Sequence, residues 1–115
     1  MNERQCKIVL IGEESTGKTC LFNRLAYDYF EESITPTLAP ACYRKEFFSE
    51  NTQKVILDLW DTGGQKRLRS LNKIFYKNAQ IIVFVYSITN RNSYLEIKDY
   101  WIKEILHICL DIPCI

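Results

Sequence analysis

Residues 12–19 read Gly-Glu-Glu-Ser-Thr-Gly-Lys-Thr and match the pattern G-x-x-x-x-G-K-[ST]. Glycines in this pattern let backbone N–H groups turn toward phosphate oxygens, and the helix that follows directs its positive dipole end to the same place. Lys18 would reach the β- and γ-phosphates of a nucleotide, and the Thr19 hydroxyl would coordinate Mg²⁺. The alternative is an ordinary turn between a strand and a helix. The apolar run at residues 8–11, directly before the pattern, favours a phosphate loop.

A second group of residues that could take part in catalysis or metal binding follows an apolar run that ends near Trp60. A nucleotide hydrolase needs a carboxylate for the Mg²⁺ shell, a mobile glycine near the γ-phosphate and a group that orients water. Asp61, Gly64 and Gln65 supply these three in order. A plain Asp-Thr-Gly-Gly turn is the alternative, and the phosphate loop makes it the weaker of the two.

Thr37 is a third candidate, in a loop that contains two prolines. Its hydroxyl could complete the Mg²⁺ shell while its backbone N–H contacts the γ-phosphate. A threonine in such a loop is commonly structural. Its combination with Lys18, Thr19 and Asp61 is what favours a role in binding.

Composition describes one soluble globular domain over residues 1–115, with 47% hydrophobic and 25% charged residues. The net charge of +1 predicts no general attraction to nucleic acid or to an anionic membrane. Five cysteines without a C-x-x-C spacing favour reduced thiols in a cytoplasmic setting over disulfides or a zinc site. No signal-like segment and no apolar run near 18 residues occurs in the chain.

Strands and helices are predicted to alternate, which indicates a doubly wound α/β fold with helices on both faces of the sheet. The sheet should be mostly parallel, since the continuously apolar run at 81–86 fits a strand covered on both sides. Residues 41–48 and 54–60 should form one antiparallel hairpin. The predicted elements are strands at 6–11, 41–48, 54–60 and 81–86, a helix from Lys18 to about Tyr29, and a helix that begins at Asn92 or Ser93.

Apolar residues at helical intervals predict which helix faces are buried. Ser93 and Glu96 have the spacing of a capping box at the start of the last helix. The apolar face of the first helix comprises Leu21, Phe22, Leu25 and Tyr29, and that of the last helix comprises Tyr94, Ile97, Trp101, Ile105 and Ile108.

Several ordered segments resemble the Rab family of Ras-superfamily small GTPases. They are residues 60–65 (Trp-Asp-Thr-Gly-Gly-Gln), 67–71 (Arg-Leu-Arg-Ser-Leu), 85–90 (Val-Tyr-Ser-Ile-Thr-Asn), 93–94 (Ser-Tyr) and 100–102 (Tyr-Trp-Ile). The resemblance is nearly collinear over the whole chain. Arf-like proteins are a weaker match, mainly through Gly63, Gly64 and Gln65.

The resemblance implies a P-loop NTPase fold, the G domain, that binds and hydrolyses GTP as a molecular switch in vesicle trafficking. It implies GTP or GDP as the bound ligand and Mg²⁺ as the cofactor. Gln65 would be the catalytic residue, and Thr19, Thr37 and Asp61 the metal ligands. The implied nucleotide-binding residues are Glu14, Ser15, Thr16, Gly17, Lys18, Thr19, Cys20, Thr37, Asp61 and Gly64.

The resemblance also implies partner proteins that read two switch loops, at residues 30–41 and 61–77. These would be effectors, exchange factors and GTPase-activating proteins. Hydrolysis by the isolated chain should be slow, because Gln65 only orients water and a partner usually supplies an arginine. The basic residues of the second switch loop are expected to face such partners rather than nucleic acid.

The family pattern stops short at Ile115, before the Asn-Lys-x-Asp segment that selects guanine, so the G domain is expected to be incomplete at its C-terminus. Guanine cannot be chosen over adenine from the residues present. The run at 81–86 would have only a four-residue stub as its neighbour. No membrane anchor is encoded near Cys114, so the expected location is the cytoplasm, or the cytosolic face of endomembranes if a longer prenylated form exists.

Two further departures concern the site itself. Glu14 stands where the family carries a small residue, and a carboxylate facing the γ-phosphate should impair hydrolysis; the alternative is that Glu13 and Glu14 both point to solvent. Cys42 occupies an aromatic position beside Trp60 and Phe75, which should alter the effector surface. These departures keep open a catalytically inert interaction module, or pseudo-GTPase; a phosphate-loop kinase or ATPase fits less well.

Overall fold

The computed structural model describes residues 3–28, 41–63, 75–108 and 115. Strands and helices alternate along these ranges, as the pattern of apolar residues predicts. The strands are β1 (Glu3–Ile11), β2 (Ala41–Phe48), β3 (Lys54–Asp61) and β4 (Ile81–Phe84). The helices are α1 (Lys18–Tyr27), α2 (Arg91–Glu96) and α3 (Ile102–Ile108), with a π-helical turn (Ile97–Trp101) joining the last two.

The four strands form one sheet in the order β2-β3-β1-β4. β1 is parallel to both β3 and β4, whereas β2 and β3 form an antiparallel pair. The predicted fold class is therefore confirmed: a mostly parallel α/β sheet with one antiparallel hairpin. In the register of the parallel pair Leu10 lies opposite Asp61, so the chain leaves β1 and β3 at the same edge of the sheet.

One face of the sheet packs against the last helix. Val9, Ile11 and Ile82 point to this side, and the buried Trp101 and Ile105 cover them together with Tyr76. The predicted apolar face of this helix is confirmed at Ile97, Trp101 and Ile105. Tyr94 departs from the prediction, because it lies exposed beside the ring of Tyr86.

α1 covers the opposite face, where Phe22 packs against Leu10 and Leu59. The predicted burial of the whole apolar side of α1 is wrong, because Leu21 and Leu25 are exposed. They line an apolar groove of about 490 Å³ instead. Tyr29, the fourth predicted member, lies outside the described residues.

The start of β1 and the end of α1 differ from the predicted boundaries. β1 begins at Glu3 rather than Cys6, because residues 3–5 find backbone partners along β3 despite their polar side chains. α1 ends at Tyr27, where Asp28 adopts a left-handed conformation with φ of 53° and its N–H bonds to the Arg24 carbonyl. A left-handed residue of this kind commonly ends a helix.

The start of the last helix also differs from the prediction. Asn90 is the capping residue, and its side chain accepts a hydrogen bond from the Ser93 N–H. Ser93 lies inside the helix, fully buried, where its hydroxyl donates to the Asn90 carbonyl at 2.7 Å and accepts from the Ser87 N–H at 2.9 Å. Asparagine and serine are both good caps, so sequence spacing alone favoured the wrong one.

β4 is shorter than the predicted strand at 81–86 and ends at Phe84. On the side away from β1 it pairs with Ile115, whose N–H donates to the Ile82 carbonyl at 2.9 Å and whose carbonyl accepts from the Phe84 N–H at 2.8 Å. The chain therefore returns to the sheet at its last residue. Among the described helices, none is both long enough and apolar enough to cross a membrane.

Candidate functional site

The loop between β1 and α1 depends on two glycines. A Cβ atom at Gly12 would lie 2.1 Å from the Val85 carbonyl oxygen, so the backbone of the loop runs directly against the chain leaving β4. Gly17 caps α1 with φ of 94°, a backbone conformation that residues other than glycine rarely adopt. Both glycines of the predicted phosphate loop are thus required by the local backbone.

Lys18 is buried at the first position of α1, and its side chain folds back over the loop. Its Nζ donates a hydrogen bond of 2.7 Å to the Glu13 carbonyl, which also accepts one of 2.8 Å from the Thr16 hydroxyl. Burial lowers the pKa of Lys18, while the charges of Asp61, Glu13 and Glu14 oppose that shift. A partly desolvated ammonium group of this kind is a strong attractor for an anion.

Thr19 and Asp61 meet where α1 begins and β3 ends. The Thr19 hydroxyl donates a hydrogen bond of 2.6 Å to Asp61 Oδ2. Asp61 is only 1% exposed, and its Oδ1 has no hydrogen-bond partner among the described residues. Burial raises the pKa of this carboxyl group, whereas the hydrogen bond from Thr19 and the charge of Lys18 lower it.

The donor set at this point fits Mg²⁺. The ion prefers oxygen ligands, and it is usually bound by one or two carboxylates together with phosphates and water. Thr19 and Asp61 offer a hydroxyl and a carboxylate, and the second carboxylate oxygen is buried without a partner among the described residues. The described ranges contain no cluster of three or more His, Cys, Asp or Glu side chains of metal-binding type. The hydroxyl of Thr19 and the carboxylate of Asp61 are described donors that could hold the ion.

The remaining predicted site residues are placed as follows. Glu14 and Ser15 are exposed at the tip of the loop, and Ser15 has a positive φ of 60°. Thr16 is half-buried, as is Cys20 on the first turn of α1. The other predicted members, Thr37, Gly64 and Gln65, lie outside the described residues and stay predictions.

Two residues of the site were not anticipated from sequence. Glu13 is only 8% exposed, and its Oε1 accepts a hydrogen bond of 3.1 Å from Trp101 Nε1, so the reading in which both glutamates point to solvent is wrong for Glu13. Thr62 is buried and donates from its hydroxyl to the Leu10 carbonyl at 2.7 Å, which ties the end of β3 to β1. Local spacing carries no signal for either contact, because the partners are far apart in the chain.

The predicted effector surface lies beside this site. Cys42 is exposed and sits opposite Trp60 in the β2–β3 register. The ring of Trp60 packs against Phe75 with centroids 5.2 Å apart, and Lys7 Nζ lies 5.3 Å from the Trp60 ring. The structure therefore brings the three residues that the sequence assigned to this surface into one region.

Comparison with known proteins shows the family to which the chain belongs. The model of the Ras family matches residues 7–115. The chain belongs to the Ras family. It is also 30% identical over 105 residues to a probable Rab-related GTPase of Acanthamoeba polyphaga mimivirus, an alignment that covers 91% of this chain and 48% of that protein. The predicted resemblance to a Rab-like small GTPase is confirmed, and the chain spans about half the length of this curated relative.

Proposed function

We propose that this Ras-family chain binds a guanine nucleotide with Mg²⁺ and hydrolyses GTP as a molecular switch. The observation that carries the proposal is the contact between Thr19 and Asp61 beside a buried Lys18. It joins a cation site to an anion site at one edge of the sheet. Similarity to a Rab-related GTPase supports guanine as the base and GTP as the substrate.

Each described residue has a distinct role in this proposal. The Lys18 ammonium group and the N–H groups at the start of α1 bind the phosphates, and the helix dipole adds to their attraction. Thr19 and Asp61 would hold Mg²⁺, and the bound ion would stabilise the negative charge of the phosphate groups. Thr62 fixes the end of β3 to the Leu10 carbonyl and so keeps Asp61 in place.

The switching step rests on residues of the two switch loops. In this proposal Gln65 would orient the attacking water, Thr37 would be a further ligand of the metal, and Gly64 would lie near the γ-phosphate. GTP holds both loops and GDP releases them, so effectors, exchange factors and GTPase-activating proteins read the nucleotide state there. We place the chain in vesicle trafficking, in the cytoplasm and, in a longer prenylated form, on the cytosolic face of endomembranes.

A second candidate is an inert interaction module that keeps the switch surfaces. Its support is electrostatic, because the negative charges of Asp61, Glu13 and Glu14 all act on Lys18. Three carboxylates around one ammonium group reduce its attraction for a phosphate. In this alternative the chain binds partners near Trp60 without completing a nucleotide cycle.

A binding experiment separates the two candidates. The full chain is titrated into fluorescent GDP with and without Mg²⁺, next to Lys18→Ala and the control Lys54→Ala, which removes a lysine from the hairpin instead. The proposal predicts saturable, Mg²⁺-strengthened binding that Lys18→Ala abolishes and Lys54→Ala leaves unchanged. Competition by unlabelled GTP but not ATP supports guanine. Absence of binding by a folded wild-type chain rejects the proposal in favour of the inert module.

A further inference from the structure

Glu13 connects the phosphate loop to a helix that lies far along the chain, near residue 101. Its carboxylate oxygen accepts the indole N–H of Trp101, a residue 88 positions away, at 3.1 Å. The carbonyl oxygen of the same residue accepts hydrogen bonds from Lys18 Nζ and the Thr16 hydroxyl. The side chain and backbone of Glu13 therefore join the helix to Lys18, the lysine proposed to bind the phosphates.

Trp101 is held firmly at its end of this contact. It is 1% exposed and packs in the cluster that contains Val9 and Ile11, the last part of β1 before the loop. It also closes the π-helical turn (Ile97–Trp101). Such a turn widens the helix by one residue and changes the direction of the side chains that follow, and π-turns occur frequently at functional sites. Here the turn places the indole N–H against the phosphate loop.

An acidic side chain in a phosphate loop poses an electrostatic problem, because an unrestrained carboxylate would repel the phosphates. The Trp101 indole solves it by holding the carboxylate in the buried interior. We propose that Glu13 is a positioning residue: its hydrogen bond to Trp101 holds its carboxylate away from the phosphates and fixes the carbonyl that orients Lys18. This inference rests on the proposed nucleotide binding and adds a positioning pair to it.

Two uncharged variants of similar length isolate the hydrogen bond. Glu13→Gln keeps an oxygen acceptor for the indole, whereas Glu13→Met has none, so a difference between them does not come from the lost charge. We expect Glu13→Met to weaken nucleotide binding about tenfold relative to Glu13→Gln, the order expected for loss of one hydrogen bond at a buried site. Trp101→Phe removes the donor, and it should produce no further loss when combined with Glu13→Met.

Tryptophan emission provides a readout that does not depend on nucleotide. The chain has two tryptophans, so in a Trp60→Phe background the emission comes from Trp101 alone. Glu13→Met should shift that emission spectrum, and Glu13→Gln should restore it. Ile105→Val is the structural control, because it removes a methylene group from the same buried cluster and leaves the pair intact.

The outcomes separate this inference from the proposed function. If the wild-type chain binds nucleotide and Glu13→Met binds as tightly as Glu13→Gln, the positioning role is wrong while the proposed function stands. An affinity loss in Ile105→Val equal to that in Trp101→Phe also overturns it, because general loosening of the core would then explain both. If the folded wild-type chain binds no nucleotide, the proposed function fails and the positioning role fails with it.

Discussion

The Thr19 hydroxyl lies 2.6 Å from Asp61 Oδ2, although 42 residues separate the two in the chain. The parallel pairing of β1 with β3 accounts for the contact, since Leu10 is in register with Asp61 and the loop to α1 follows directly after β1. Asp61 is then buried with one oxygen that has no partner among the described residues. The fold thus maintains a carboxylate whose burial is unfavourable unless a cation or donor joins it.

Replacing Asp61 should separate stability from binding. Asp61→Asn keeps an oxygen for the Thr19 hydroxyl but removes the buried charge, so the free energy of unfolding without Mg²⁺ should stay equal or rise, by on the order of 1 kcal/mol. The contribution of Mg²⁺ to nucleotide affinity should fall at least about tenfold. Denaturant unfolding and fluorescent-GDP titration measure the two effects. Asp58→Asn, which removes a carboxylate of β3 that pairs with Arg44, is the matched control and should leave Mg²⁺ dependence intact.

Glu14 is the second carboxylate of the phosphate loop. Unlike Glu13, its side chain is not held in the interior of the protein. It is exposed, and its charge acts on Lys18. Glu14→Gly should therefore raise GTP turnover and tighten GDP binding about threefold, the size of one exposed charge interaction, with a smaller effect at high salt. Single-turnover hydrolysis and GDP titration at two salt concentrations test this. Glu50→Gly is the control in the hairpin turn, and rates equal to wild type in Glu14→Gly would contradict the expectation.

Thr52 carries local strain in the turn between β2 and β3. Its φ is 59°, which is unfavourable for a β-branched residue. Thr52→Gly should raise the free energy of unfolding by about 0.5–1 kcal/mol, because glycine adopts this conformation without a steric penalty. Asn51→Gly, at the adjacent position, should lower it or leave it unchanged. A thermal or urea unfolding series on the three proteins decides, and destabilisation by Thr52→Gly would refute the argument.

Cys42 should react slowly with alkylating agents for an exposed thiol. Desolvation by its surroundings raises the pKa of Cys42, the charge of Asp58 raises it further, and Arg44 and Lys7 oppose the shift. The thiolate is the reactive form, so the alkylation rate should still be rising at a pH where an unperturbed cysteine thiol is already ionised. Mass spectrometry of iodoacetamide-treated protein over a pH series measures it. Asp58→Asn should move the rate profile to lower pH, and a plateau near neutral pH in the wild-type protein would show that the assignment is wrong.

The fold followed from sequence where a local pattern determined the outcome. The continuous apolar runs gave β1, β3 and β4, and the Gly12 and Gly17 spacing gave the loop before α1. The parallel sheet then placed Thr19 beside Asp61, because Asp61 ends β3 at the edge of the sheet where the chain leaves β1 for α1. Residue type and topology were sufficient for these features.

Other features depended on contacts that the spacing of residue types does not reveal. The buried Glu13 accepts a hydrogen bond from Trp101, which lies 88 residues along the chain at the end of the π-helical turn. The choice of Asn90 over Ser93 as the cap depends on Ser87, whose N–H takes the Ser93 hydroxyl as its acceptor. Leu25 has a helical spacing suited to burial, yet it lies on a groove because nothing in the described ranges covers that part of α1.

The most direct test of a guanine-nucleotide site is the identity of any nucleotide that the protein retains through purification. The full chain and Lys18→Ala are purified in Mg²⁺, isolated as folded monomers by gel filtration and denatured, and the released small molecules are separated by chromatography. The account predicts GDP or GTP in near-stoichiometric amount from the wild-type protein and none from Lys18→Ala. A folded wild-type monomer that releases no nucleotide, or that releases adenine nucleotide, would contradict it.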